Sequence, residues 1–160
     1  IETELADIAG TSRKLISSIG EIIWSLDPES KTLDQLYAYM REQLGQLLEY
    51  TDIAYEVDFP DNVPEIGLTS QQKRALLLVT KEAVNNAVKY SQATTLSVTS
   101  SVAPHGVSFA VSDNGKGFDP AVAKRGNGLR NMRHRIEELK GSFLLESVPG
   151  QTTVRYGVPL

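Results

Sequence analysis

Apolar residues in the first 26 positions recur at alternating intervals of four and three residues, with one serine among them. This spacing places them on one side of an α-helix, at the a and d positions of a heptad repeat. Further apolar residues beside this stripe favour a four-helix bundle over a two-stranded coil. We therefore expect the helix to pack against another helix or chain; a helix folded back on its own domain is the alternative. The stripe consists of Ile1, Leu5, Ile8, Ser12, Leu15, Ile19, Ile22 and Leu26.

The first helix is followed by a clear break in the pattern. Pro28 ends the helix because proline lacks an amide hydrogen and disfavours helical geometry in the residue before it. Ser30 or Thr32 then offers a cap for a second helix. Trp24 lies off the heptad stripe near this break. We expect Trp24 to pack between the helix and the following domain and to help set their angle; a partly exposed flank residue is the alternative.

The remainder of the chain alternates between helical and strand patterns. Its order predicts an α+β fold, with helices layered on one face of a mixed sheet. The predicted helices cover residues 32–50, 70–90 and 128–140, and the predicted strands cover residues 53–59, 96–103, 107–113, 142–148 and 152–158.

Composition excludes several classes of function. The 160 residues are 41% hydrophobic and carry a formal charge of −4, which indicates a globular protein that does not bind nucleic acid. The absence of cysteine excludes disulfides, thiolate zinc sites and thiol catalysis. No run of 18 apolar residues occurs, so we expect no direct membrane contact. Because the chain starts at Ile1, we expect a piece of a longer protein with cytoplasmic chemistry.

One face of the helix predicted over residues 70–90 is polar. It carries Glu82, Asn85, Asn86 and Lys89, on the side opposite the apolar residues. Asparagine is a poor helix former, and two adjacent asparagines in mid-helix are unusual. Glu82 and Asn86 lie one turn apart and offer two oxygen ligands that suit a hard cation such as Mg²⁺. An ordinary solvated face is the alternative.

The segment Asp113–Phe118, with the sequence DNGKGF, follows an apolar strand. Its two glycines would let the backbone approach a flat ligand closely. Asp113 would lie at the strand end, where its carboxylate can accept a hydrogen bond from an exocyclic amine, a feature that distinguishes adenine from guanine. An ordinary turn is the alternative.

The segment Gly126–Leu129 opens the next predicted helix. Glycines before a helix N-terminus expose amide groups to an anion, which the helix dipole also favours. The surrounding positive charge fits phosphates in an otherwise acidic chain, although a flexible loop before a basic helix is the alternative. The spacing matches neither a P-loop nor a dinucleotide fingerprint. The basic residues are Lys116, Lys124, Arg125, Arg130 and Arg133.

In this order the three segments resemble the N, G1 and G2 boxes of the GHKL (Bergerat-fold) ATPases, most closely the ATP-binding domain of bacterial sensor histidine kinases. Residues 22–28, with the sequence IIWSLDP, resemble the end of the dimerisation helix in the nitrate-sensor-like subfamily. The short loop over residues 117–126 resembles that subfamily's short ATP lid. The resemblance implies that residues 1–27 belong to the dimerisation and phosphotransfer bundle and residues 28–160 to the catalytic domain.

The resemblance implies a role for each matching residue. Asn86 would hold Mg²⁺, Glu82 would help order water or the metal, and Asp113 would accept a hydrogen bond from the adenine amine of ATP. Tyr90 stands where the subfamily often has histidine, and Gln151 replaces a common glycine. The other implied binding residues are Lys89 and Tyr90 at the phosphates, Gly115 and Gly117 in the adenine pocket, Gly126, Asn127, Gly128 and Leu129 in the lid, and Thr152 near the aspartate.

The resemblance also implies the partners. The parent protein would form a homodimer through its N-terminal helix, phosphorylate its own histidine from ATP, and pass the phosphoryl group to a response regulator. Residues 1–104 contain no histidine, so we expect this chain to bind ATP without phosphorylating itself, and we expect His105 and His134 to be surface residues.

Two alternative functions share these motifs. The first is a GHKL serine kinase that antagonises a sigma factor, against which the long heptad helix argues. The second is a non-catalytic nucleotide-binding or dimerisation module, against which the intact polar and glycine motifs argue.

Overall fold

The computed structural model of the chain describes residues 1–119 and 127–160. Every predicted helix and strand is present, and no boundary differs from its predicted position by more than two residues. The elements are α1 (Glu2–Leu26), α2 (Leu33–Leu48), β1 (Ala54–Asp58), α3 (Ser70–Tyr90), β2 (Thr95–Ala103), β3 (Gly106–Asp113), α4 (Gly128–Glu138), β4 (Ser142–Val148) and β5 (Gln151–Pro159).

The strands form one mixed sheet in the order β1-β2-β3-β5-β4. β1 pairs with β2 in parallel, and the other neighbouring pairs are antiparallel. The register places Asp113 of β3 opposite Thr152 of β5, and Thr152 opposite Ser147 of β4. The sheet therefore brings residues from three strands into one row.

The hydrophobic core lies between one face of the sheet and helices α2, α3 and α4, which confirms the predicted layering. Alternate residues of β3 and of the first part of β2 are buried, as expected for strands with one covered face, whereas β5 also buries Thr153 and Gly157 between its alternate positions. Phe109 and Tyr156 stack in this core with ring centroids 5.7 Å apart. The Tyr156 hydroxyl is hydrogen-bonded to Thr80, and burial raises the pKa of this phenol.

The helix starts follow from local capping. Thr69 precedes α3: its hydroxyl accepts from the Gln72 amide at 3.0 Å, and Gln72 Oε1 accepts from the Thr69 amide at 2.9 Å. This reciprocal pair satisfies two amides that the helix itself leaves unpaired. Of the two candidates for the start of α2, Thr32 is the capping residue.

The apolar stripe of α1 is uncovered in the single chain. Ile8 is 62% exposed and Leu26 is 64% exposed. The alternative of a helix folded back on its own domain is therefore wrong, because only the C-terminal turns of α1 reach the rest of the molecule. None of the helices in the described part of the chain is both long enough and apolar enough to cross a membrane.

The end of α1 is tied to the following domain by the Trp24 ring, by contacts of Lys73 with the linker, and by an ion pair between Glu21 of α1 and Lys81 of α3. The Trp24 ring stacks on Tyr39 with centroids 4.1 Å apart, which confirms that Trp24 packs between α1 and the domain. Lys73 of α3 is 1% exposed, and its ammonium donates to the backbone oxygens of Asp27 at 3.4 Å and Ser30 at 2.5 Å. Burial lowers the pKa of Lys73. The linker between α1 and α2 is thus held against α3.

Candidate nucleotide-binding site

A cavity lies between α3, the ends of β3 and β5, and the start of α4. Asp113, at the tip of β3, and Asn86, on the facing helix, open onto this one cavity, as the three-motif interpretation requires. The predicted site residues that line it are Asn86, Asp113, Gly117, Leu129 and Thr152, and the other lining residues are Ala83, Ala87, Ser91, Val111, Phe118, Leu145 and Val154.

Asp113 is the polar centre of the cavity. Its side chain is 7% exposed, and Oδ1 accepts a hydrogen bond from the Gly115 amide at 2.8 Å. This bond fixes the carboxylate at the strand end. A carboxylate held in a largely apolar cavity is a strong acceptor for an amine on a flat ligand.

The glycines of the DNGKGF segment are required by close packing. A Cβ on Gly115 would lie 2.3 Å from the Ser91 carbonyl oxygen, at the end of α3. Gly117 has φ +71°, and a Cβ there would lie 2.2 Å from the Val148 carbonyl oxygen. The Gly150 amide also donates to the Gly115 carbonyl at 3.0 Å. The segment therefore packs between the end of α3 and the β4–β5 turn, and a side chain does not fit at either glycine position.

Asn114 is a structural residue whose role the sequence analysis missed. Its Oδ1 accepts from the amides of Thr94 and Thr95, both at 2.9 Å, and Nδ2 donates to the Thr94 hydroxyl at 2.8 Å. These bonds tie the glycine segment to the start of β2. The asparagine after a strand end was a signal for such a turn.

Ser147 was also missed. Its Oγ accepts from the Phe118 amide at 2.9 Å and lies 2.7 Å from the Thr152 hydroxyl oxygen. The alternation of β4 offered a signal, because Ser147 falls on the same face as Phe143 and Leu145, towards the helices. A polar residue on the covered face of a strand needs a hydrogen-bond partner.

Glu82 faces a neighbouring cleft instead of this cavity. A Cβ on Gly128 would lie 2.5 Å from Glu82 Oε1, so the carboxylate contacts the first residue of α4. Asn127, the residue before α4, lines the same cleft. Glu82 and Asn86, one turn apart on α3, thus open onto adjoining spaces.

The remaining predicted residues lie around the cavity or outside the described residues. Lys89 and Tyr90 are exposed and do not line the cavity, and Gly115 is buried behind it. Gly126 lies outside the described residues, as do Lys124 and Arg125. His105 and His134 are exposed, which confirms the expectation that they are surface residues.

The donor atoms fit a magnesium ion that is bound together with phosphates. Within residues 1–119 and 127–160, no group of three His, Cys, Asp or Glu side chains could hold a metal. Mg²⁺ commonly takes only one or two protein oxygens and completes its shell with phosphates and water. The Asn86 amide oxygen at the cavity matches that requirement, whereas a metal held by the described protein side chains alone does not fit.

The fold is an α/β sandwich, with a mixed sheet covered by helices on one face and a cavity between them. Residues 71–160 match the family described as histidine kinase-, DNA gyrase B-, and HSP90-like ATPase. The chain therefore belongs to this family, and the predicted GHKL resemblance is confirmed.

Individual relatives support the same conclusion. The chain is 30% identical to the sensor histidine kinase DesK of Bacillus subtilis over 98% of its own length and 40% of DesK. It is 32% identical to the nitrate/nitrite sensor protein NarQ of Escherichia coli over 77% of its length and 22% of NarQ. The chain thus spans less than half of each relative. These likenesses confirm the predicted resemblance to the nitrate-sensor-like group.

A solved structure matches the whole arrangement. The blue-light-activated histidine kinase of Erythrobacter litoralis EL346 superposes with a TM-score of 0.74 at 15% identity. The match covers 97% of this chain and 50% of that kinase. At this identity the likeness establishes the fold, a mixed sheet with helices preceded by a long helix.

Proposed function

We propose that this chain is the ATP-binding catalytic part of a sensor histidine kinase and that it supplies ATP with Mg²⁺ for phosphorylation of a histidine on a bundle helix. The observation that carries this proposal is the convergence of Asp113 and Asn86 on one cavity beside the start of α4. The cavity is then lined in turn by a carboxylate for the base, an amide for the metal and the start of a helix for the phosphates.

The adenine base would occupy the apolar part of the cavity. Asp113 would accept a hydrogen bond from its amine, with Thr152 opposite on β5. Val111, Leu145 and Val154 supply apolar walls that suit a flat ring. Gly115 and Gly117 bring the backbone close enough to shape the pocket.

The triphosphate would extend from the base towards α3 and α4. Asn86 would hold Mg²⁺, which neutralises phosphate charge when bound, and Glu82, one turn earlier, would help order water or the metal. Amides at the start of α4, in Gly128 and Leu129, would meet phosphate oxygens favoured by the helix dipole. We assign the remaining phosphate and lid contacts to Lys89, Tyr90, Gly126 and Asn127.

The partners follow from α1 and from the chemistry. The exposed stripe of α1 supports a homodimer in which residues 1–27 join a helical bundle, with residues 28–160 as the catalytic domain. α1 contains no histidine, so the acceptor would lie on a different bundle helix. Its imidazole nitrogen would attack the γ-phosphorus as ADP leaves, and a response-regulator aspartate would then receive the phosphoryl group. The uncovered stripe favours this reading over an anti-sigma serine kinase.

Labelling with [γ-³²P]ATP tests the kinase assignment. We expect the chain by itself to bind ATP and to remain unlabelled, because its two histidines lie away from α1. A longer form that includes the other bundle helix should become labelled on a histidine. Labelling of the chain alone would contradict the missing acceptor, and a failure to bind ATP would overturn the nucleotide site.

Asn86→Ala is expected to weaken ATP binding about tenfold in the presence of Mg²⁺ and to leave it nearly unchanged in EDTA, because the lost amide acts through the metal. Isothermal titration calorimetry under both conditions measures this difference. Asn85→Ala is the matched control, since Asn85 adjoins Asn86 on α3 without lining the cavity. An equal loss with and without Mg²⁺ would exclude a metal role for Asn86.

A further inference from the structure

Three polar side chains form a row across the sheet at the cavity. Asp113 of β3 pairs in register with Thr152 of β5, and Thr152 pairs with Ser147 of β4. Asp113 and Thr152 line the cavity, whereas Ser147 stands one strand further out and does not line it. Phe118, which does line the cavity, reaches the outer end of the row with its backbone amide.

The hydrogen bonds along this row have a preferred direction. The Phe118 amide can only donate, so Ser147 Oγ accepts from it at 2.9 Å. One hydrogen bond of 2.7 Å then joins the Ser147 and Thr152 hydroxyl oxygens, and either hydroxyl could be its donor. Within residues 1–119 and 127–160, neither hydroxyl makes another side-chain hydrogen bond.

The environment decides which hydroxyl donates. If Thr152 donated to Ser147, the Ser147 proton would lack a protein acceptor within the described residues, and Thr152 would have no proton for the cavity. If Ser147 donates to Thr152, the free proton lies on Thr152 at the cavity wall, where a ligand or water can accept it. A hydroxyl that accepts a hydrogen bond also becomes a better donor, so the row strengthens in this direction.

We propose that Ser147 is a positioning residue for the bound base: its hydroxyl, anchored by the Phe118 amide, turns the Thr152 proton into the cavity towards a ring-nitrogen acceptor beside the exocyclic amine. This inference rests on the proposed adenine-nucleotide function.

The chemistry of the base explains why the proton direction matters. Adenine presents an amine donor next to ring nitrogens that accept. Asp113 supplies an acceptor for the amine, and an oriented Thr152 supplies a donor for the ring. Without Ser147, the Thr152 hydroxyl is free to rotate, so the donor is present only part of the time. The part of the nucleotide affinity that depends on Ser147 should therefore disappear when the base lacks the ring nitrogen that accepts from Thr152.

Ser147→Ala tests the proposal through calorimetric titration of the chain with ADP, 1-deaza-ADP and 7-deaza-ADP, each of the latter two lacking one ring acceptor. We expect an approximately tenfold loss of affinity for ADP. One of the two analogues lacks the ring nitrogen that accepts from Thr152. Ser147→Ala and the unsubstituted chain should bind that analogue with equal affinity. Ser142→Ala is the matched control, an exposed serine of the same strand, and should bind all three nucleotides as the unsubstituted chain does.

Two further variants separate the hydroxyl from the packing. Ser147→Thr retains a hydroxyl and should bind ADP within about threefold of the unsubstituted chain. Ser147→Cys retains the side-chain size but donates weakly, so it should show the same nitrogen-dependent loss and provides the measurement if Ser147→Ala does not fold.

Two results would overturn the proposal. Unchanged ADP affinity in both Ser147→Ala and Ser147→Cys would remove any role for the hydroxyl. An equal loss with all three nucleotides would show that Ser147 only supports the Phe118 segment. If the unsubstituted chain bound none of the nucleotides, the proposed function itself would fail, which is a distinguishable outcome.

Discussion

Asp113→Asn is expected to weaken ATP binding about 100-fold, a cost of about 2.7 kcal/mol. The asparagine carbonyl can still accept from the Gly115 amide, so the loop should keep its conformation. The other half of the side chain becomes an NH₂ group that faces the adenine amine, donor against donor. A charged hydrogen bond is thus lost and a repulsive contact is introduced in a buried place. Calorimetric titration with ATP–Mg²⁺ measures the change.

The specificity of the same variant provides a second readout. Inosine triphosphate carries an oxygen where ATP has the amine, so Asp113→Asn should bind it relatively better than the unsubstituted chain does. Asp58→Asn is the matched control, because Asp58 also ends a strand but is exposed at the far edge of the sheet. Unchanged ATP affinity in Asp113→Asn, with circular dichroism showing an intact fold, would exclude Asp113 as the base-binding residue.

Gly117→Ala is expected to lower the free energy of unfolding by about 2–3 kcal/mol and to reduce ATP affinity about tenfold. Two effects add at this position. The backbone has φ +71°, where an alanine is strained, and the new Cβ would lie 2.2 Å from the Val148 carbonyl oxygen. The Val148 carbonyl belongs to the backbone of a paired strand and cannot easily shift. The segment that contains Gly117 must therefore move to relieve the overlap. Urea denaturation and calorimetry measure the two consequences.

Gly150→Ala separates the strain from the overlap. Gly150 has φ +90°, yet a Cβ there meets no atom within 4 Å. This variant should lose only about 1 kcal/mol of stability and should retain ATP affinity, since only conformational strain is added. Equal effects of Gly117→Ala and Gly150→Ala on binding would mean that the close approach to Val148 does not shape the pocket.

The junction between α1 and the domain was only partly predictable. The off-stripe position of Trp24 indicated a contact with the domain, and the structure supplies its partner, Tyr39. The buried ammonium of Lys73 was not anticipated, because a lysine at the start of a helix normally lies in solvent. Its partners are backbone oxygens of the linker, which no pattern of side chains can reveal.

The sequence by itself determined the order and extent of the helices and strands and pointed to the three segments of the candidate nucleotide site. Periods of 3.6 and 2 residues, caps such as Thr69 and breakers such as Pro28 are local signals, which act over a few neighbouring residues. The segments of the candidate site could also be predicted, because Asp113, the glycines and Asn86 each belong to a short motif whose chemistry is visible locally.

Only the tertiary structure decided which side chains meet. Glu82 and Asn86 share one helical face, yet they open onto different spaces, because α4 starts against Glu82. Ser147 joins the site through strand register, and a shift of one residue would turn it to the other face of the sheet. Such contacts join residues far apart in the chain, so packing and register determine them, and local periodicity does not.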